Sequence, residues 1–318
     1  MSTKQIIGSI QRNSESINDL IDADAVLEIL ADGYDWSEGP VYVPQLNGVL
    51  FSDIPPNQIH LWTEDNGASL WLSPSGYTGE MPRGGEVGSN GLILDASGSL
   101  VLCQHGDRRM AKLNSSWDDP SPDYVTLADR YEGKRFNSPN DAVYHSNGDL
   151  YFTDPPYGLE YRMDDELKEI DYQGVYRLGS DGTVTLLTKE LSRPNGLAFS
   201  PDESKLYVAN SDPDRAIWMV YDVDDQGELT NGQVFYDATN LVGQQAGLPD
   251  GMKVDLNGYV YATGPGGVFV FSPQAEVLGM IRTTQATSNC AFGGSNYDQL
   301  FITADRYLLR LQLKSKSK

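Results

Sequence analysis

Six polar residues recur along the chain, each at the start of a short apolar segment. They are Glu38, Asn90, Asn140, Asn195, Asp250 and Asn289. The steps between them are 52, 50, 55, 55 and 39 residues, and none of the six is Lys or Arg. Carboxylate and amide oxygens are hard ligands, which suit Ca²⁺, Mg²⁺ or Mn²⁺ and argue against a structural zinc site. The set therefore predicts a site for one divalent cation.

An alternative interpretation is that the Asn-Gly and Asp-Gly pairs only form tight turns, since these residues accept left-handed backbone. It does not account for Glu38, which is a poor turn residue. In a cation site, Glu38 and Asp250 would neutralise the charge, and Asn140 and Asn195 would add amide oxygens. The positions left open would admit water or substrate, so that the ion could act as a Lewis acid.

The segments that follow these residues have the pattern of β-hairpins. In each, an apolar strand, a turn rich in Gly, Asp, Asn or Ser and a second strand span 13 or 14 residues. With the strands that follow, each unit has about four strands in roughly 50 residues, the size of a propeller blade. A row of β-sandwiches is the alternative, but it needs no recurring acid or amide. We predict an all-β, six-bladed propeller over residues 25–318.

The sixth unit ends one strand short. We expect the segment Ala25–Leu30 to supply its fourth strand and so close the ring, which removes exposed sheet edges. Residues 1–24 are interpreted only as a polar N-terminal extension.

Propeller geometry predicts where the recurring residues lie. The first strand of a blade lines the central channel, so the six residues should form a ring at one end. The second strand returns to the same face, where we expect Asp53, His105, Asp154 and Asn210. Two long connections, 74–89 with Arg83 and 155–173 with Tyr157, would roof a pocket there. For His105, a purely structural role is the alternative.

Composition narrows the class of partner. The chain has 318 residues, with 23 Lys and Arg against 45 Asp and Glu, a formal charge of −22. Such a charge repels nucleic acid and anionic lipid surfaces. The sequence shows no apolar run near the roughly 20 residues of a membrane span and no secretory signal pattern. We therefore expect a cytoplasmic protein. The two cysteines, Cys103 and Cys290, make a disulfide framework implausible and are interpreted as small buried apolar residues.

Seven motifs in order resemble the regucalcin/gluconolactonase (senescence-marker-protein) family, which includes diisopropylfluorophosphatase-like hydrolases. They are SEGP (37–40), SNGL (89–92), CQHGDRR (103–109), NSPNDAV (137–143), YFTDPPYG (151–158), RPNGLAFS (193–200) and LPDGMKVD (248–255). CQHGDRR and FTDPPYG are most similar to bacterial gluconolactonases. The resemblance implies a metal held by Glu38, Asn140, Asn195 and Asp250. It also implies substrate contacts from Asn90 and the His105 loop. Ser138 stands where regucalcin has a basic residue.

The leading hypothesis is a metal-dependent lactonase that opens aldonolactones to aldonic acids. Asp250, or as a second choice His105, would take the proton from water. The expected substrate contacts are Asn90, His105, Asn140, Tyr157 and Asn289. Calcium is the first choice of ion, with Mg, Mn or Zn as alternatives. A phosphotriester hydrolase and a non-enzymatic calcium-binding propeller remain alternatives, as do monomer and dimer.

Overall fold

The computed structural model describes residues 5–314 and residue 317. Within them, β-strands form six antiparallel blades around a central channel, as predicted. The helices of this part of the chain are four short 3₁₀ segments, at Glu15–Asp19, Pro44–Leu46, Arg162–Asp164 and Thr239–Leu241.

The strands follow one another from the channel outward in each blade. Before the first blade come β1 (Ile6–Ile7), β2 (Ser9–Arg12) and β3 (Leu27–Asp32). Blade 1 has β4 (Ser37–Val43), β5 (Gly48–Asp53), β6 (Gln58–Thr63) and β7 (Gly67–Leu72). Blade 2 has β8 (Ser89–Leu94), β9 (Leu100–Gln104), β10 (Arg109–Leu113) and β11 (Tyr124–Ala128). A small hairpin, β12 (Arg130–Tyr131) and β13 (Lys134–Arg135), follows.

The remaining blades repeat this order. Blade 3 has β14 (Ala142–Tyr144), β15 (Leu150–Asp154), β16 (Gly174–Leu178) and β17 (Val184–Thr188). Blade 4 has β18 (Pro194–Phe199), β19 (Lys205–Asp212), β20 (Arg215–Val223) and β21 (Leu229–Asp237). Blade 5 has β22 (Met252–Val254), β23 (Val260–Gly264), β24 (Gly267–Phe271) and β25 (Val277–Arg282). Blade 6 has β26 (Thr287–Gly293), β27 (Gln299–Ala304) and β28 (Tyr307–Gln312).

The second strand of a blade is buried on both faces. Every residue of β5, β9, β15 and β23 is buried. Each of these strands therefore contains a run of consecutive apolar residues before a polar end, whereas outer strands such as β21 are largely exposed. The core lies between neighbouring blades, where for example Cys103 and Met110 of blade 2 pack with Phe152 and Tyr176 of blade 3.

Strand β3 closes the ring. It pairs antiparallel with β28, with Tyr307 opposite Asp32 and Arg310 opposite Glu28. Arg310 also forms an ion pair with Glu28 at 2.9 Å. The predicted closing strand is confirmed, and it begins two residues later than expected.

The described part of the N-terminal extension packs onto two blades. Strand β1 adds to β3 at the edge of blade 6, and β2 adds to β25 at the edge of blade 5. The segment that follows buries Ile17, Leu20 and Ile21. This packing was not predicted, and residues 1–4 lie outside the described residues. Within the described chain, none of the helices has the length and apolar character that crossing a membrane requires.

Candidate active site

The six recurring residues lie on the inner strands at one end of the channel. Glu38, Asn90, Asn195 and Asn289 are within β4, β8, β18 and β26, and Asn140 and Asp250 come two residues before β14 and β22. They are therefore not turn residues. Four of the six are followed by a glycine, which permits close approach of neighbouring strands. Gly91 N donates to Asn140 O at 2.8 Å, and a Cβ on Gly196 would lie 2.3 Å from Asp250 O.

Five of the six residues line a cleft of about 350 Å³ at this end of the channel. They are Glu38, Asn90, Asn140, Asn195 and Asp250, and Tyr157 from the long connection after β15 lines it too. Glu86 and Ser211 complete much of the polar wall, and Trp36 and Leu248 supply apolar surface. A cleft that is part apolar, with a few convergent polar groups, has the size and character of a small-molecule site.

Four side-chain oxygens in this cleft are buried and have no hydrogen-bond partner among the described residues. They are Oδ1 of Asn90, Asn140, Asn195 and Asp250. Buried oxygens are normally paired, because an unpaired one forfeits the hydrogen bonds it would make in water. Four unpaired oxygens that converge on one cleft are suited to a cation or to a hydrogen-bond donor placed between them.

Glu38 and Asp250, the two carboxylates that belong to the ring, are held in an environment that opposes negative charge. Burial raises the pKa of Glu38 to about 8. A hydrogen bond from Gly39 N lowers this pKa, whereas the nearby Asp141 carboxylate raises it further. Burial, followed by the charge of Glu38, raises the pKa of Asp250 well above its usual range. Two buried carboxylates in one site are stabilised when a cation lies between them.

The residues present fit a hard divalent cation. Glu38 and Asp250 supply two negative charges, and Asn140 and Asn195 supply amide oxygens. Asn140, Asn195 and Asp250 each have a buried oxygen without a hydrogen-bond partner among the described residues. No group of three or more His, Cys, Asp and Glu residues within 5–314 is arranged to hold a metal. The candidate set includes only two residues of those types, since the remaining ligands would be amides.

The structure places His105 behind the wall of the cleft. Its side chain is 0% exposed, with Nε2 3.4 Å from Asn140 Nδ2 and Nδ1 3.3 Å from Glu86 Oε2. Gly158 closes over it, because a Cβ there would lie 2.7 Å from His105 Cβ. His105 was expected to contact substrate or take a proton, and this stays a prediction; within the protein it lies against Asn140 and Glu86.

Asn289 also lies behind the cleft wall, although it was expected to contact substrate. Its Oδ1 accepts from Cys290 N at 2.9 Å, and its amide nitrogen donates to Asp141 Oδ2 at 3.3 Å and to Glu38. Both ends of the amide are thus occupied within the protein. Asn289 holds the Glu38 carboxylate in place from behind.

Three of the four residues expected at the ends of the second strands position backbone instead of facing the cleft. Asp53 accepts from Trp36 N at 3.0 Å, Asp154 from Ser138 N at 2.7 Å, and Asn210 Oδ1 from Arg193 N at 2.8 Å. Each bond ties the second strand to the chain just before the first strand of the same blade. These bonds therefore fix where Glu38, Asn140 and Asn195 enter the ring.

The two long connections do cover the cleft. Arg83 donates to Gly106 O at 2.5 Å and to Gly158 O, which links the first connection to the second. Burial next to Asp250 raises the pKa of Tyr157, so its hydroxyl stays protonated. Glu86 and Ser211 were missed by sequence reasoning, because neither belongs to the repeated pattern, although Ser211 follows Asn210 directly.

Comparison with known proteins agrees with this geometry. Residues 36–306 match the family model described as SMP-30/Gluconolactonase/LRE-like region. A gluconolactonase from Zymomonas mobilis is 41% identical over 315 residues, covering 97% of this chain and 87% of that protein. The structure of a gluconolactonase from Xanthomonas campestris superposes with a TM-score of 0.82 at 30% identity, covering 97% of each chain.

A more distant neighbour shares the fold alone. Regucalcin from Agrobacterium tumefaciens, described as a calcium-binding protein, has a TM-score of 0.69 at 18% identity and covers 91% of this chain and 95% of its own. The family match spans most of the sequence and includes every residue of the ring. The chain therefore belongs to the SMP-30/gluconolactonase/LRE-like family.

Proposed function

We propose that this protein is a divalent-metal-dependent lactonase that opens sugar lactones, of the gluconolactone type, to aldonic acids. The observation that carries the proposal is the set of four buried, unpartnered oxygens in the cleft. The relatives named gluconolactonase support the substrate class. The calcium-binding neighbour supports Ca²⁺ as the first ion to test.

Glu38, Asn140, Asn195 and Asp250 would hold the ion. When bound, it would supply Lewis-acid stabilisation of the negative charge that develops on the lactone carbonyl oxygen. The amide of Asn289 keeps Glu38 directed into the site.

The remaining groups of the cleft would bind the sugar and handle the proton. Glu86 and Asn90 present oxygen atoms that can accept hydrogen bonds from sugar hydroxyls, and the Tyr157 hydroxyl can donate one. The buried, unpartnered Oδ1 of Asp250 is placed to take a proton from the attacking water. The water oxygen bonds to the carbonyl carbon, the bond from this carbon to the ring oxygen breaks, and the ring oxygen takes up a proton.

The test is proton release from a panel of aldonolactones, corrected for spontaneous opening, before and after chelation. Hydrolysis should be lost on chelation and return with one divalent ion. Glu38→Gln should weaken binding of that ion by at least about tenfold, because a ligand charge is lost. Asp250→Asn keeps an oxygen ligand but no base, so kcat should fall about 10²- to 10⁴-fold at saturating metal.

Glu64→Gln is the matched control, since this glutamate is 67% exposed and lies outside the cleft. It should leave both metal binding and hydrolysis unchanged. Full activity of metal-loaded Asp250→Asn would refute the assignment of the base. No acceleration of any lactone by the metal-loaded protein would refute the lactonase proposal, and phosphotriesters would then be assayed with the same preparation.

A further inference from the structure

His105 lies between one residue that lines the cleft and one ring residue. Its Nδ1 is 3.3 Å from Glu86 Oε2, and its Nε2 is 3.4 Å from Asn140 Nδ2. The imidazole of His105 is fully buried, whereas the Glu86 side chain, which lines the cleft, is 31% exposed. The three side chains thus form a line from Glu86 through His105 to the amide of Asn140.

The chemistry of the two ends determines the state of the imidazole. Nδ1 and Glu86 Oε2 are 3.3 Å apart but not in hydrogen-bond geometry, so Nδ1 is buried without a hydrogen-bond partner among the described residues. A carboxylate oxygen beside the imidazole still favours an N–H group over a lone pair on the nitrogen that faces it, and so favours the tautomer protonated at Nδ1. In a neutral imidazole the other nitrogen, Nε2, is then an acceptor. An acceptor at Nε2 faces the NH₂ end of the Asn140 amide, and the amide oxygen consequently points away from His105.

The opposite orientation of Asn140 is unfavourable. It would set the amide oxygen against the lone pair of Nε2 and turn the NH₂ group into the cleft. We propose that His105, buried between Glu86 and Asn140, is the positioning residue that fixes Asn140 with its oxygen directed into the cleft. This inference rests on the proposed function, because the oriented oxygen is one of the four proposed metal ligands.

Blade 4 contains an equivalent arrangement with a different partner. The Asn195 amide nitrogen donates to Ser211 Oγ at 3.1 Å, and Ser211 Oγ in turn donates to Pro249 O. Asn195 Oδ1, like Asn140 Oδ1, is left buried and without a partner. Each of the two amide side chains is therefore oriented by a hydrogen-bond partner, His105 behind the cleft wall and Ser211 within it, as is usual for groups that support metal ligands.

The experiment compares two replacements of His105 by isothermal titration with Ca²⁺. His105→Gln retains a carbonyl oxygen near the position of Nε2, so it can still accept from Asn140. His105→Leu fills similar space without an acceptor. We expect His105→Leu to weaken Ca²⁺ affinity about 10- to 100-fold and His105→Gln to restore most of it. His145→Gln is the matched control, because His145 pairs with Glu203 at 3.5 Å outside the cleft.

A spectroscopic readout tests the orientation without metal. The chain has three histidines, so the ring nitrogens in a ¹⁵N-histidine-labelled protein can be assigned through the variants. The wild-type His105 ring should carry its proton on Nδ1 and none on Nε2. In Glu86→Gln, whose amide can also donate, a protonated Nε2 should appear in part of the population.

The outcomes separate this inference from the proposed function. A wild-type His105 protonated on Nε2 would overturn the inference whether or not metal binds. Equal Ca²⁺ affinity of His105→Leu and the wild type, or equal weakening in folded His105→Leu and His105→Gln, would also overturn it. If the wild type binds no divalent cation, the proposed metal site is refuted. The ¹⁵N spectrum of the His105 imidazole still decides the orientation of Asn140 in that case.

Discussion

Replacing Ile17 by alanine should destabilise the protein without affecting its active site. Ile17 is 0% exposed and packs on blade 5, where a Cβ added to Gly279 would lie 2.2 Å from Ile17 Cδ1. It belongs to an apolar cluster with Leu278 and Ile281 of blade 5. Removing such a buried side chain leaves a cavity and costs about 2–5 kcal/mol of unfolding free energy.

The size of the expected thermal shift follows from the length of the chain. With about 2.1 cal/mol/K of unfolding entropy per residue, 318 residues give an unfolding entropy of about 0.7 kcal/mol/K. A loss of 2–5 kcal/mol then lowers the melting temperature by about 3–7 °C. The assay is thermal unfolding followed by circular dichroism, with lactone hydrolysis at 25 °C expected to stay at the wild-type rate.

Ile6 provides the matched control in the same segment. It is 57% exposed, so Ile6→Ala should change stability by no more than about 0.5 kcal/mol. A melting temperature of Ile17→Ala within about 1 °C of the wild type would refute the reasoning. So would equal destabilisation by both replacements, because the segment would then not depend on the burial of Ile17.

Two further predictions concern buried titratable groups. Burial raises the pKa of Asp154 from 3.8 to about 7, so the native state binds this proton more tightly than the unfolded chain does. The stability from this group is present in full below about pH 4 and is lost as pH rises through about 7, by at most about 4 kcal/mol. Asparagine is a suitable replacement, because Asn210 holds the corresponding place in blade 4. Between pH 4 and 8 the unfolding free energy of Asp154→Asn should fall less than that of the wild type, because the replacement cannot titrate. Equal falls in the two proteins would contradict the prediction. Burial raises the pKa of Cys290 to about 12 and the pKa of Cys103 well above its usual value. Neither thiol should therefore react with a disulfide reagent at pH 8 before the protein unfolds. Rapid labelling of the native protein would contradict this prediction.

The blades could be predicted from the sequence because their signals are local. The recurring acid or amide, the turn and the second strand span 13 or 14 residues, and this pattern returns six times. The packing of the extension was not predictable in this way. Strand β2 pairs Ser9 with Arg282, and nothing in the short segment around Ser9 identifies a partner so distant along the chain.

The same distinction applies to the site. Glu38, Asn140, Asn195 and Asp250 belong to the repeat, and the structure brings them to one cleft. Glu86 lies in a long connection outside the repeat, so its place in the cleft wall depends on tertiary contacts. The burial of His105 depends on Gly158 from the connection after β15. Which polar residue faces a ligand and which stands behind it is therefore decided by contacts between blades.

The pairing of β3 with β28 also has a consequence for biosynthesis. Residues 27–32 leave the ribosome long before their partner, residues 307–312, is made. Until then β3 has an unpaired edge, and contacts so far apart in sequence form slowly. A chain that ends before residue 307 would expose two open edges, on β3 and on β27. Such a product could close its ring only with a strand from another molecule, so premature termination near the C-terminus should yield aggregates instead of a slightly smaller enzyme.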